Sequence, residues 1–209
     1  MKHNGLLIGL TGQTGAGKTT VSGYLQSLGY RVIDADVVAR HVVAKGSECI
    51  LELALAFGPE VILPDGTLDR QRMGDLIFAD KEKRAQMGKI IFPYIQAAIF
   101  GEVERMRSDG GAPIIFLDAP TLFESGTHES CDLIISVIAP VDIRLARIIA
   151  RDKITEQRAH TRIKAQQDDD FYISRSHYII RNEGDLGQLR EKLDAVIGKI
   201  ELANLEAKH

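Results

Sequence analysis

Short apolar runs alternate along the chain with stretches whose hydrophobic positions recur at helical spacing. The runs fall at Leu6–Leu10, Arg31–Asp34, Pro113–Leu117, Leu133–Ile138 and Tyr178–Arg181. Near-continuous apolar sequence in a strand means burial on both faces, which is the mark of a parallel sheet. The pattern predicts an α/β fold: a five-stranded, mainly parallel sheet with helices on both faces, joined by right-handed crossovers and binding ligands outside the carboxyl ends of its strands. The first helix, Thr20 to Leu28, should stop where Gly29 supplies a left-handed residue. From Val37 to Ser108 the pattern is helical, with a turn at Pro64-Asp65-Gly66 and no core strand. That span is expected to be an insertion covering one side of the site. Pro93 should break the helical pattern around Gly88–Ala98. Asp109-Gly110-Gly111 should return the chain to the sheet, and Asp185–Leu205 should form an amphipathic helix that seals it.

Composition narrows this picture without changing it. The 209 residues suit one α/β domain with inserted sub-elements, and 44% hydrophobic with 26% charged residues fits a soluble protein. No stretch of 18 apolar residues is present, so no membrane partner is expected. Met1-Lys2-His3-Asn4-Gly5 leads straight into the first strand, which leaves no room for a signal peptide and predicts a cytoplasmic protein. Cys49 and Cys131 belong to no CxxC or Cys/His cluster, which argues against a zinc site or a disulfide frame. A net charge of −3 gives no support for a nucleic-acid partner. The histidines show no metal-binding spacing such as HExxH.

The candidate chemistry begins at Gly12-Gln13-Thr14-Gly15-Ala16-Gly17-Lys18-Thr19, which follows the first strand and opens the first helix. This is a phosphate-binding loop in the strand-to-helix setting it requires. Residues without a Cβ let successive backbone N–H groups curl around phosphate oxygens, and the start of a helix favours negative charge. Lys18 is placed to reach the β- and γ-phosphates of a nucleotide and the Thr19 hydroxyl to ligate Mg²⁺. Gly12, Gly15, Ala16, Gly17, Lys18, Thr19 and Thr20 are therefore the expected cofactor contacts, with ATP and Mg²⁺ as cofactors.

Which phosphate-loop protein this is depends on the rest of the chain. A switch-type GTPase needs Asn-Lys-x-Asp and DxxG segments at strand ends, and a motor ATPase usually needs a larger chain and a strand ending in Asp-Glu; neither is found. Instead, Val32-Ile33-Asp34-Ala35-Asp36 puts two carboxylates at the tip of the second strand, on one side of an extended chain. One of them could face the γ-phosphate; Asp34 could as well be a helix N-cap or turn residue, and Asp36 an N-cap to a helix beginning at Val37. Arg40 falls one helical turn after Asp36, where it could hold an acceptor phosphate or join a surface salt bridge. Arg144, Arg147 and Arg151 recur at spacings of three and four with no acidic residue at those offsets, which predicts a basic stripe facing an anionic ligand or solvent. Asp118 could orient Mg²⁺ through water or simply form a turn. Asp168-Asp169-Asp170 reads most simply as an exposed loop. Phe78 and Phe123 read equally as core or as packing for a ligand.

Gly9-Leu10-Thr11-Gly12 through Thr20, Val32-Ile33-Asp34-Ala35-Asp36-Val37-Val38-Ala39-Arg40, Asp65-Gly66-Thr67-Leu68-Asp69-Arg70 and Ile77-Phe78 together closely resemble the dephospho-CoA kinase family. The resemblance continues through Arg147, Arg151-Asp152, Arg162 with Ala165-Gln166, and Asn182, at the positions of that family's lid and adenine-side motifs. It implies ATP-dependent phosphorylation of the 3′-hydroxyl of dephospho-CoA, the last step of coenzyme A synthesis. Asp36, Lys18 and Arg147 would be catalytic, with Arg147 and Asn182 also on the nucleotide. Asp36, Arg40, Phe78 and Pro93 would contact the substrate, and Thr19 the metal. One domain, 1–209, would comprise a core (1–36, 109–143 and 168–209), a substrate-binding insertion (37–108) and a lid (144–167). The expected partner is dephospho-CoA, and the expected state a monomer or small homo-oligomer. A kinase for another small acceptor, such as a nucleoside monophosphate or a sugar acid, shares the loop and lid logic.

The sequence departs from the family pattern at three places. Phe92 precedes Pro93 where a histidine is common, Ala119-Pro120-Thr121-Leu122-Phe123-Glu124 varies a Pro-Leu-Leu-Phe-Glu segment, and Ser176-His177 replaces a frequent Ala-Asp.

Overall fold

Central strand β1 (Leu6–Gly12) lies between β3 (Ile114–Asp118) and β4 (Leu133–Ile138), with β2 (Arg31–Asp34) and β5 (Tyr178–Arg181) at the edges; every pairing is parallel. The structure is a computed structural model that describes residues 5–78, 80–109 and 113–206. Both faces of the sheet are covered, which explains the apolar runs. On one face Ile8, Leu10, Phe116, Ile135 and Val137 pack against α1 (Lys18–Ser27) and against Leu193 and Ile197 of α9 (Leu186–Glu206). On the other, Leu7, Ile115, Leu117 and Ile134 meet Ile99 and Val103 of α5 (Lys81–Ser108) and Tyr172 of α8 (Asp169–Ile173). Adjacent residues of each strand thus serve opposite cores. Truncating a fully buried leucine such as Leu193 to alanine should cost about 2–5 kcal/mol.

Between β2 and β3 the described chain contributes α2 (Ala35–Val42), α3 (Glu48–Phe57), α4 (Arg70–Phe78) and α5. These helices bury an apolar cluster of their own around Cys49, Leu53, Val61, Met73 and Ile91. The predicted turn is present: Gly66 N donates to Leu63 O at 2.8 Å, and Thr67 N and Oγ1 donate to Asp65 Oδ1 at 2.9 and 2.6 Å. After β4 follow α6 (Val141–Asp152) and α7 (Glu156–Lys164), then α8 and β5. Several helix starts are capped by short polar side chains, each worth about 1 kcal/mol: Asp80 accepts from the amides of Glu82 and Lys83, and Thr155 from that of Arg158.

Three expectations are corrected. Pro93 lies inside α5, which runs unbroken from Lys81 to Ser108. Both Pro93 and Lys89, whose carbonyl loses its helical donor, are exposed, and burial of Ile91 and Ile99 on the opposite face holds the helix together. Asp34 and Asp36 do not share one side of an extended strand. β2 ends at Asp34, whose side chain accepts from the amides of Asp36 and Val37 at 2.8 and 3.0 Å, so helix begins at Ala35 and Asp36 sits in its first turn. The triplet Asp168-Asp169-Asp170 is not a loop: Asp168 caps α8 by accepting from Phe171 N at 2.9 Å, and the other two form its first turn. Gly110 and Gly111 of the expected return loop, and residues 1–4, lie outside the described residues.

Candidate active site

The carboxyl ends of β1, β2 and β3 converge, with Asp118 in register with both Leu10 and Asp34. The phosphate loop emerges from β1, where the strand order places β3 on one side and β4 on the other. This is the switch point at which such sheets bind ligands. Gly12 ends the strand at φ 149°, and a Cβ there would stand 2.2 Å from the backbone oxygen of Val137. Gly15 and Gly17 take left-handed φ values of 77° and 103°, the second forming the N-cap of α1. Inside the loop, Gln13 N donates to Val137 O at 3.2 Å and Ala16 N to Gln13 O at 3.1 Å. The amides of Lys18 and Thr19 have no carbonyl one turn earlier in the helix and no acceptor among the described residues, which leaves them free for an anion, whereas Thr20 N donates to Gly17 O at 3.0 Å.

The loop walls a cavity of about 480 Å³ that also receives Asp36, Pro120, Arg147, Arg151 and Gln166. Lys18 Nζ forms an ion pair with Asp118, which is nearly buried at the end of β3. A cation, its carboxylate partner, a second carboxylate on α2 and two guanidinium groups on α6 thus surround the glycine turn. Such a site holds a polyanion and presents an acceptor group for a hydroxyl.

Asn182, just past β5, supports the loop from behind. Its Nδ2 donates to Ala16 O at 2.7 Å, and a Cβ on Gly17 would fall 2.3 Å from that nitrogen. Arg147 leans on the same construction through long contacts of 3.4–3.5 Å from Nη1 to the carbonyls of Gly15, Ala16 and Asn182.

Comparison with known proteins decides what this site belongs to. The family model for dephospho-CoA kinase matches residues 6–188. A dephospho-CoA kinase of Moorella thermoacetica is 39% identical over 189 residues, covering 90% of this chain and 89% of that protein. A solved protein from Thermus thermophilus superposes with a TM-score of 0.80 at 31% identity, covering 93% and 97% of the two chains. A dephospho-CoA kinase structure from Campylobacter jejuni superposes at 0.71 with 27% identity, covering 95% and 98%. The chain belongs to the dephospho-CoA kinase family. It is thereby an ATP-dependent kinase, built on the phosphate-loop fold.

In this dephospho-CoA kinase family member, Gly12, Gly15, Gly17, Lys18, Thr19, Thr20, Asp36 and Arg147 line one cavity. Ala16 and Asn182 do not: both are buried behind the loop. Pro93 lines a separate cavity of about 620 Å³ on α5, together with Lys81, Arg84, Lys89, Phe92 and Glu124. Arg40 follows Asp36 by one turn of α2, is exposed and forms no ion pair among the described residues. Phe78 is 81% exposed at the end of α4 and lines neither of these cavities. Phe123 is core, edge-on to Phe171 and Tyr172.

The arginine stripe divides. Arg147 and Arg151, one turn apart, reach the phosphate cavity, whereas Arg144 shares the buried face of α6 with Ile148. Its Nε and Nη1 are unpartnered among the described residues, and burial lowers its pKa from the usual guanidinium value. Arg151 is also less free than the spacing suggests. Asp152 accepts from Arg151 Nε at 2.7 Å and pairs with Arg162 on α7, which latches the two helices together.

Two glutamines and an aspartate make site contacts that the sequence does not predict, although the phosphate-loop motif includes Gln13 and the family resemblance includes Gln166. Gln13 Nε2 donates to Asp169 Oδ1 at 2.8 Å, and Thr14 N donates to Gln166 Oε1 at 2.7 Å. These contacts join residues more than 150 positions apart, so only the polar character of Gln13 within a buried loop hinted at them.

Proposed function

We propose that the chain transfers the γ-phosphoryl group of ATP to the ribose 3′-hydroxyl of dephospho-CoA, giving coenzyme A and ADP. The observation that carries this reading is the shared cavity of Lys18 and Asp36. Phosphoryl transfer needs alignment of the two oxygens and stabilisation of equatorial charge more than covalent help. The loop amides and Lys18 hold the triphosphate, while Arg147 bridges phosphate oxygens with its planar donors. Asp36 accepts the hydrogen bond of the 3′-hydroxyl and takes its proton as the new P–O bond forms and the bond to the β–γ bridging oxygen breaks. A carboxylate is a weak base, so alignment is the larger part of this role.

The residues fit Mg²⁺. The Thr19 hydroxyl, in the first turn of α1, and the Asp36 carboxylate line the same cavity, with Asp118 behind them on Lys18. Sparse protein ligands are what this ion accepts when it keeps waters and phosphates. When bound, the ion neutralises charge on the phosphates.

The acceptor's body belongs in the cavity along α5. Lys81, Arg84 and Lys89 supply cations for its diphosphate, and Phe92 and Pro93 an apolar wall. Phe92 in place of a histidine changes that wall from a hydrogen-bonding to a packing surface. In this reading residues 37–108 form the substrate-binding insertion and 144–167 the lid, with the remainder as core. Closure of the lid over ATP excludes water and suppresses hydrolysis. The setting is cytoplasmic, in keeping with the free thiols of Cys49 and Cys131. Among the described residues no helix is long and apolar enough to cross a membrane.

The test is a panel of acceptors with ATP and Mg²⁺, read by mass spectrometry. Dephospho-CoA should gain one phosphoryl group, and a nucleoside monophosphate and a sugar acid none. Transfer to one of those acceptors and not to dephospho-CoA would overturn the assignment.

A further inference from the structure

Gln166 follows α7 in the segment that leads into α8, and its carboxamide reaches back 152 positions to the phosphate loop. The Thr14 amide donates to it at 2.7 Å. A backbone N–H only donates, so the atom it faces is the carbonyl oxygen, and the orientation of the whole group follows. Nε2, with two protons, is left at the other end and hydrogen-bonds nothing among the described residues. Gln166 lines the cavity that holds Lys18, Asp36, Arg147 and Arg151. The segment is pinned a second time, because Asp169 accepts from Gln13 at 2.8 Å. Two consecutive loop residues, Gln13 and Thr14, therefore fix the position of this donor.

We propose that Gln166 is a catalytic residue whose Nε2 donates to an equatorial oxygen of the phosphoryl group in transfer. The inference rests on the reading that the triphosphate occupies the loop cavity. The loop cradle and Arg147 account for the inner phosphates, whereas Gln166 adds a neutral donor to the cavity that Asp36 also lines. A neutral amide strengthens its bond as charge develops on the transferring group, and it adds no fixed cation that would retain ADP. The glutamine neither forms a bond nor changes protonation. The terminal P–O bond breaks, the acceptor oxygen bonds phosphorus, and the proton passes to Asp36.

Gln166→Glu separates this role from a tether. The variant keeps an oxygen to accept from Thr14 and replaces the outward donor with an anionic acceptor. Its kcat should fall roughly tenfold or more, the worth of one hydrogen bond to a charged group, and ATP should bind more weakly while ADP affinity and thermal midpoint stay at wild-type values. If Gln166→Glu folds poorly, Gln166→Met, which also frees the Thr14 amide, is read by kcat alone, which should again fall roughly tenfold or more. Turnover within about twofold of wild type in a folded variant, given the expected size of a lost donor, would overturn the proposal. Equal weakening of ATP and ADP would overturn it too, by reducing Gln166 to a tether. Lys18→Met serves as the reference: if it leaves turnover intact, the loop reading itself fails, and if it abolishes turnover while Gln166→Glu does not, only the glutamine's role fails.

Discussion

Asn182 donates its side-chain amide to the carbonyl of Ala16 at 2.7 Å, fastening the end of β5 to the back of the phosphate loop. Both groups are buried, so removing the donor leaves a desolvated carbonyl without its partner. Asn182→Ala should lower stability by about 1–3 kcal/mol and weaken ATP binding by loosening Ala16 and Gly17. Chemical denaturation and calorimetric titration of ATP check the two effects.

Gly12 and Gly23 make opposite predictions from the same substitution. A Cβ on Gly12 meets backbone atoms of β4 at 2.2 Å, and strand and loop cannot both give way. Gly12→Ala should destabilise by roughly 2 kcal/mol or more and abolish activity. Gly23, exposed in α1 with nothing within 4 Å of its virtual Cβ, should gain about 0.5–1 kcal/mol on mutation to alanine. Thermal melts of both variants decide this.

The latch at Asp152 carries a pH dependence. The hydrogen bond from Arg151 is the largest influence and, with the charges of Arg151 and Arg162, holds the Asp152 carboxyl below the usual carboxylate range. A group with a depressed folded pKa contributes stability above its unfolded value and loses it as pH falls through the folded one. Docking of α7 on α6 should therefore loosen only in acid, below about pH 4. Asp152→Asn should flatten that acid branch. Hydrogen exchange of the α7 amides across pH 3–6 measures it, with a small amplitude because all three side chains reach solvent.

Phe92 tests where the acceptor lies. Phe92→Ala should raise KM for dephospho-CoA by about tenfold, through a loss of 1–3 kcal/mol of apolar contact, with ATP affinity unchanged. Steady-state kinetics with each substrate varied in turn distinguishes this from a general loss of structure.

The five strands were legible because a strand buried on both faces must be apolar throughout, and the phosphate loop because its geometry demands glycine at fixed offsets. The strand reading of Val32–Asp36 puts Asp36 in the right neighbourhood but the wrong element. Strand and helix compete for Asp34-Ala35-Asp36, and the capping bonds accepted by Asp34 settle the contest two residues earlier than an extended reading allows. Pro93 was misplaced for a related reason, since local propensity yields to burial of the opposite face of α5. Arg144 was grouped with Arg147 and Arg151 by spacing alone, although its offset from Ile148 puts it on the buried face. The partnerships of Gln13 and Gln166 come from the closure of the fold and leave no mark in any short window of sequence.

The central claim is that Asp36 aligns the acceptor hydroxyl against a phosphate held by Lys18. Single-turnover phosphorylation of dephospho-CoA by Asp36→Asn, with both substrates saturating, tests it most directly. The rate should fall by about 100-fold or more with dephospho-CoA affinity retained. A rate close to that of the wild-type enzyme would contradict it.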